Sequence, residues 1–361
     1  MRGAKGISDR LISETPVAVV DLETTGLYPG GDRIVEVAVV RIDPGQRPAL
    51  VLDTLVNPGR PVSATEIHGI SEEDVIDAPS FAEVAGNLAS ALTDSVFASY
   101  NVYFDAKFVQ AELTQVGLNS FPPHLCLMYM RPLLGIGPRC SLTDACDAHG
   151  ITYSRAHQAA SDAMVSALLW QTYTATMATK GIRTFGDLAK LKSYKFIKSF
   201  SESPLDRGIA GTLQSATRLK SRTQGTTVRT KRQPQLDRTH FLAEYWDALT
   251  AVLADLTVTQ TEIRYLQDKR RALSLNADEL RWLHARAFSG ILADLSQDRA
   301  ISAAEVQTLH GITVALRQLG WAPGDSGDEP TQSASAEIIT AKTKGGVWSI
   351  LTSWFRHRKR T

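Results

Sequence analysis

Asp21 and Glu23 stand two residues apart at the end of the apolar, β-branched run Val17-Ala18-Val19-Val20. In a strand, residues i and i+2 point to one face. The two carboxylates therefore project side by side and repel each other unless a cation lies between them. Hard divalent ions such as Mg²⁺ are held by one or two carboxylates plus substrate phosphates, and that is the chemistry this spacing offers. Three further segments carry compatible groups. In Ser99-Tyr100-Asn101-Val102-Tyr103-Phe104-Asp105 a third carboxylate stands where an extended segment turns into a helix; alone, such an Asp is an N-cap. Thr65-Glu66-Ile67-His68-Gly69-Ile70 is a loop with a His-Gly pair ahead of a helix start. His157 and Asp162 lie five residues apart ahead of an apolar helix. Were both helical they would point about 140° apart. They share a site only with His157 on the entry loop and Asp162 on the helix proper.

The elements that must position these groups read as α/β. Strands are predicted at 17–21, 34–42 and 50–56, with an extended segment near 96–100, and Gly26–Gly31 forms a turn-rich excursion between the first two. A helix is predicted from Ser80, with Glu83 completing a capping box, through Leu92. Others run from Asp105 to Val116, stopping at Gly117, and over 141–149 and 159–178. Residues 15–181 thus form one α/β domain behind a short leader, 1–14.

In this order, Asp21-Leu22-Glu23-Thr24-Thr25-Gly26-Leu27, Ile67-His68-Gly69-Ile70, Asn101-x-x-Phe104-Asp105, Ser141-Leu142-x-x-x-Cys146-x-x-x-Gly150-Ile151 and His157-x-x-x-x-Asp162-Ala163 resemble the DEDDh 3′–5′ exonucleases. That family contains the proofreading subunit of bacterial replicative polymerases. The resemblance implies a ribonuclease-H-like mixed sheet flanked by helices, and hydrolysis with two divalent cations, Mg²⁺ or Mn²⁺. In the roles it implies, Asp21 bridges both cations. Glu23 and Asp162 complete the one that holds the nucleophilic water, and Asp105 serves the second. His157 is the implied general base, a task open to an imidazole with an unperturbed pKa of about 6.5. Thr24, Thr25 and His68 border the terminal nucleotide, Leu27 and Phe104 act as apolar wedges, and Asn101 joins the substrate contacts. Many relatives carry His where this chain has Tyr100, a change that spares the metal ligands and alters what packs beside the substrate. The implied substrate is a nucleic-acid 3′ end, with single-stranded DNA favoured, in repair, trimming or proofreading. A 3′–5′ exoribonuclease would use the same site. A nuclease-derived interaction module is the reading from another class, and the presence of all five site residues stands against it.

Composition narrows the setting. Lys and Arg total 39 against 38 Asp and Glu, so any attraction for nucleic acid must come from local patches. Cys126, Cys140 and Cys146 lack metal-site or disulfide spacing, so no disulfides are expected and a bacterial, cytoplasmic setting fits. No secretory signal is visible, and no run approaches the ~18–20 apolar residues of a spanning helix.

Residues 182–238 read as a basic linker, poorly ordered over 212–235: Lys and Arg recur from Lys190 to Arg238, opposed only by Glu202, Asp206 and Asp237. It is either a solvated connector or an arm that neutralises phosphates. Residues 239–322 return to helical periodicity as a small all-α domain. Leu253-Ala254-Asp255-Leu256 and Leu292-Ala293-Asp294-Leu295 each precede a capped helix, a duplication that resembles tellurite-resistance-B-like helical modules and implies docking of a protein partner. Asp294, Ser296, Asp298 and Glu305 mimic an EF-hand register, but Arg299 occupies the position that needs Gly, which argues against calcium. The tail, 323–361, places Val347, Trp348, Leu351, Trp354 and Phe355 on one helical face before Arg356-His357-Arg358-Lys359-Arg360. Such a helix lies on an anionic membrane as a peripheral anchor, docks into a partner groove, or folds back on its own domain.

Overall fold

The computed structural model describes residues 6–29, 31–153, 157–222, 233–296 and 301–325. In chain order its elements are β1 (Val17–Thr24), β2 (Ile34–Ile42), β3 (Ala49–Leu55), α1 (Thr65–His68), α2 (Glu72–Val75), α3 (Phe81–Leu92), β4 (Val96–Ser99), α4 (Val102–Gln115) and β5 (His124–Cys126). There follow α5 (Leu127–Leu134), α6 (Leu142–Ala148), α7 (Ala159–Thr179), α8 (Phe185–Leu191), α9 (Arg207–Ala210), α10 (Gln233–Leu253), α11 (Gln260–Ala272), α12 (Ala277–Leu295) and α13 (Ala303–Gln318).

The five strands form one mixed sheet in the order β3-β2-β1-β4-β5. β1 pairs antiparallel with β2, and β2 with β3, while β4 runs parallel to both β1 and β5. The β-branched residues of β1 and β2 are buried on both faces, which requires a layer on each side. Helices α3 and α4 pack together against the sheet; α7 packs on β1, β2 and β3 with α5 and α6 against it. Because β4 lies parallel beside β1, the segment leaving β4 at its carboxyl end emerges next to Asp21 and Glu23. Ligand sites of open α/β sheets form at such carboxyl ends.

The strands and helices predicted for the first half are present to within a few residues. Three elements went unread: β5, α5 and α1, the last a single turn over Thr65–His68 where a loop was expected, held between left-handed Ala64 and Gly69. β5 is only three residues long, and in 125–134 an apolar run without a period is followed by Arg131 and Pro132, a residue that normally breaks a helix. Asp105 is not an N-cap: α4 begins at Val102, with Asn101 before it, so Asp105 sits in the first turn. The larger departure is over 182–222. Apolar density is low there, yet Phe185, Phe196, Phe200, Leu205 and Ala210 are all buried in the main core. A few aromatic anchors suffice to tie down a polar segment. The chain then runs beside β3, where Leu55 N–H donates to Lys220 O at 2.8 Å.

Helices α10 to α13 build a second core around Tyr245, Leu249, Leu266, Leu283 and Leu316. The two capped helices read from the repeat are α11, with its Thr259–Glu262 capping box, and α13, with Ser302–Glu305. Inside this core His284 bridges Tyr245 OH (3.0 Å) and Trp321 O (2.7 Å). No helix among the described residues is long and apolar enough to cross a membrane. The amphipathic tail helix, the first five residues of the leader, linker residues 223–232, and Asp298 and Arg299 of the calcium-like loop lie outside the described residues.

Candidate active site

Asp21 and Glu23 from β1, His68 from α1, Asn101, Phe104 and Asp105 around the start of α4, and His157 and Asp162 at the entry to α7 all line one pocket. Thr24 and Leu27 line it too. Thr25 lies behind this lip, fully buried. It stitches the turn closed, its N–H donating to Arg33 O (2.9 Å) and its hydroxyl to Asp32 Oδ1 (3.0 Å). The strand register breaks between Glu23 and Thr24, so a bulge releases the chain from the ladder just where the lip begins.

Each functional side chain has a local reason for its place. His157 has a left-handed backbone, φ +61°, and its N–H donates to Asp162 Oδ2 at 3.1 Å. The His therefore sits on the entry turn and the Asp on the first turn of α7, the one geometry that lets a five-residue spacing share a site. His68 spends both ring nitrogens on its own loop, one 3.1 Å from Ser63 O and the other accepting from Ile70 N–H at 3.0 Å. That fixes a neutral ring, and burial pushes its pKa down to about 4. His68 borders the pocket with its ring rather than with a free polar atom. Tyr100 donates its hydroxyl to the carbonyls of Cys140 (2.8 Å) and Ser141 (2.9 Å). It thereby positions the start of α6, whose Leu142 lines the pocket.

The electrostatics are those of a site built for cations. Burial, then the neighbouring Asp162, Asp105 and Glu23, raises the Asp21 pKa well above the usual range. Burial and Asp162 do the same to Glu23. Burial lifts Asp105 and Asp162 to about 7 each. A dication reverses this local logic by favouring every ionised form. The donor set fits one: Glu23, His157 and Asp162 each offer a ligand atom, all within 4.8 Å of one another. Asp162 Oδ1, Asn101 Oδ1 and His157 Nε2 are moreover buried without a hydrogen-bond partner, a costly arrangement that a bound ion or its waters relieve.

Several residues of the site were not read from the sequence. Glu36 stands opposite Glu23 in the β1–β2 register. It accepts from Ala159 N–H (3.2 Å) at the start of α7 and from Arg222 (3.3 Å). Arg222 also donates to His157 O (2.9 Å) and His68 O (2.5 Å). A hairpin register would have exposed Glu36, whereas nothing local marks Arg222. Unread, too, were Trp246, Asp247, Thr250 and Ala251 of α10 and Arg286 of α12, which line the same pocket. Asp247 Oδ2 lies 3.8 Å from His157 Nε2, and burial lifts its pKa to about 8.

The sheet domain is similar to known proteins. A family model described as an exonuclease matches residues 18–170. The chain is 35% identical over 191 residues to a DNA polymerase III subunit epsilon-like protein of Rhodobacter capsulatus, covering 51% of this chain and 27% of that one. It is 30% identical over 169 residues to the DNA polymerase III subunit epsilon of Pasteurella multocida, covering 43% of this chain and 67% of that one. Among solved structures, exonuclease X in complex with 5′ overhanging duplex DNA aligns with a TM-score of 0.39 at 23% identity, over 48% of this chain and 98% of that one. The chain thus spans about a quarter of the first relative's length and two thirds of the second's. Divalent metals are the working cofactors of such exonucleases, and the acidic cluster is of the matching kind. With its four carboxylates and one histidine in family order, the chain belongs to the DEDDh exonucleases, together with the epsilon subunits of bacterial DNA polymerase III.

Proposed function

We propose that this protein removes nucleotides from DNA 3′ ends, with Mg²⁺ or Mn²⁺ as its pair of divalent cations. The observation that carries the reading is the meeting of Asp21, Glu23, Asp105, His157 and Asp162, from three separated segments, in one pocket. When bound, the cations screen the phosphodiester charge and acidify the attacking water. Asp21, Glu23 and Asp162 would hold one cation, and Asp21 with Asp105 the second. His157 Nε2 takes the proton of the attacking water, and burial keeps that imidazole neutral by lowering its pKa. Thr24, Leu27, Asn101 and Phe104 border the terminal nucleotide, with His68 holding the adjoining loop and Thr25 the turn beneath. Contacts of this kind grip phosphate and base faces without reading sequence. DNA metabolism inside the cell is the matching setting.

The test is a panel of 5′-labelled substrates: single-stranded DNA, recessed duplex, mismatched end and RNA of one sequence. Shortening from the 3′ end is expected with either cation and not with chelator, faster on DNA than RNA. His157→Ala should lower the rate by about 10²–10⁴-fold, the range for a lost acid–base group, and Asp21→Ala, which removes a carboxylate from both cations, should abolish turnover. Full turnover in both variants would refute the mechanism, and a preference for RNA would move the assignment to an exoribonuclease.

A further inference from the structure

The pocket is capped. Trp246, Asp247, Thr250 and Ala251 of α10 and Arg286 of α12 form part of its wall, and the free volume left is about 150 Å³. Pockets that take even a small organic ligand run to about 300–1,000 Å³, so a nucleotide with its flanking phosphates has no room. The parts that would grip a 3′ end are the parts that the helices cover. Ile67 of α1 and Ala64 just before it are buried in the core of the helical module, and Leu27 packs against that core. Leu27 meets Gly290 of α12 so closely that a Cβ on residue 290 would lie 2.7 Å from the Leu27 Cβ.

Charge follows the same plan. Lys107, one turn of α4 beyond the pocket-lining Phe104, pairs with Asp294 at 2.5 Å. Arg139 pairs with Glu262 at 2.5 Å and Asp255 at 3.1 Å. The cation comes from the sheet domain and the acid from the helical module in each case; Lys269 to Asp144, at 2.6 Å, runs the other way. A phosphate backbone presents the same sign of charge to the same kind of partner.

We propose that the helical module is an intramolecular plug of the exonuclease site, whose acids occupy Lys107 and Arg139, the cations that meet substrate phosphates once the module is displaced. This rests on the exonuclease reading of the site. Opening then has a defined content: α10 leaves the pocket, Leu27 and the His-Gly loop are uncovered, and two cations change partner from carboxylate to phosphate.

The test uses the full chain carrying Leu27→Cys and Gly290→Cys. The native cysteines are buried, and a shift of about 1 Å brings the new pair to disulfide geometry. Two quantities are read before and after reductant: turnover of a 5′-labelled oligonucleotide with Mg²⁺, and anisotropy of the same oligonucleotide in chelator. The cross-linked form should lose at least about tenfold in both, and reductant should restore them. Conversely, Gly290→Leu, and separately the pair Glu262→Gln with Asp294→Asn, should raise kcat/KM over the parent chain by about tenfold. Cysteines that do not pair under oxidant, a cross-linked form that binds and cuts like the reduced one, or opening variants no faster than the parent would overturn the plug. If no form cuts any substrate while binding still follows the cross-link, the plug stands and the exonuclease reading falls.

Discussion

Burial is the largest cause of the raised pKa at each of Asp21, Glu23, Asp105 and Asp162, and this fixes the sign of a pH effect. Asp105 and Asp162 move from 3.8 to about 7 on folding. A group whose pKa is raised on folding adds stability below its unfolded pKa and loses it as pH climbs through the folded value. The metal-free protein should therefore lose stability between roughly pH 4 and pH 7. A dication binds the ionised forms and expels those protons, so its stabilising effect should grow across the same window. Thermal midpoints with Mg²⁺ and with chelator, at about pH 5.5 and about pH 8, check this: the difference between them should be larger at the higher pH. An equal difference would show that the carboxylates ionise in the ordinary range. The residues behind this effect were legible because each sits in a compact local motif. Glu36, Arg222 and Asp247 were not, since each reaches the site from an element whose own neighbourhood carries no chemical signature.

At the scale of elements, the lip after β1 depends on one residue without a side chain. A Cβ on Gly26 would lie 2.2 Å from Asp32 Oδ2, and that same carboxylate accepts from Thr25 Oγ1 and from Tyr28 N–H. Gly26→Ala should cost about 1–3 kcal/mol, as overpacking does, measured as a shift in the urea midpoint at unchanged slope. An unshifted midpoint would mean that the turn opens freely. The strands and helices around this lip were readable because apolar alternation, capping boxes and Gly stops all agreed. β5 is too short to alternate, and in α5 the interior Pro132 argues against a helix even though Gly135 stops it. Over 182–222 charge density pointed to a linker, while Phe185, Phe196 and Phe200 decided the outcome by packing into the core. The duplicated helical pair was legible as a pattern. Its position over the pocket was not, because docking depends on two surfaces far apart in the chain.

Across the whole molecule the cover is held by ion pairs at its rim, some well exposed, such as Lys107 with Asp294. Exposed pairs of this kind are screened by salt within about 10 Å at 0.1 M. With a short oligonucleotide, the gain in kcat/KM of Glu262→Gln with Asp294→Asn over the parent chain should shrink as salt is raised to about 0.3 M, because salt already screens those pairs while weakening phosphate binding in both chains. A gain that does not change with salt would mean that salt-sensitive contacts do not limit opening. Ten residues of sequence separate Arg222, which is bonded to the carbonyls of His157 and His68, from Gln233, the first residue of α10. A connection this short keeps the module at a local concentration on the order of millimolar. Diluting the protein leaves that competitor undiminished, so a scarce 3′ end faces it at full strength. Either the module's own grip is weak enough for a single DNA end to win, or a third molecule must first take the module away.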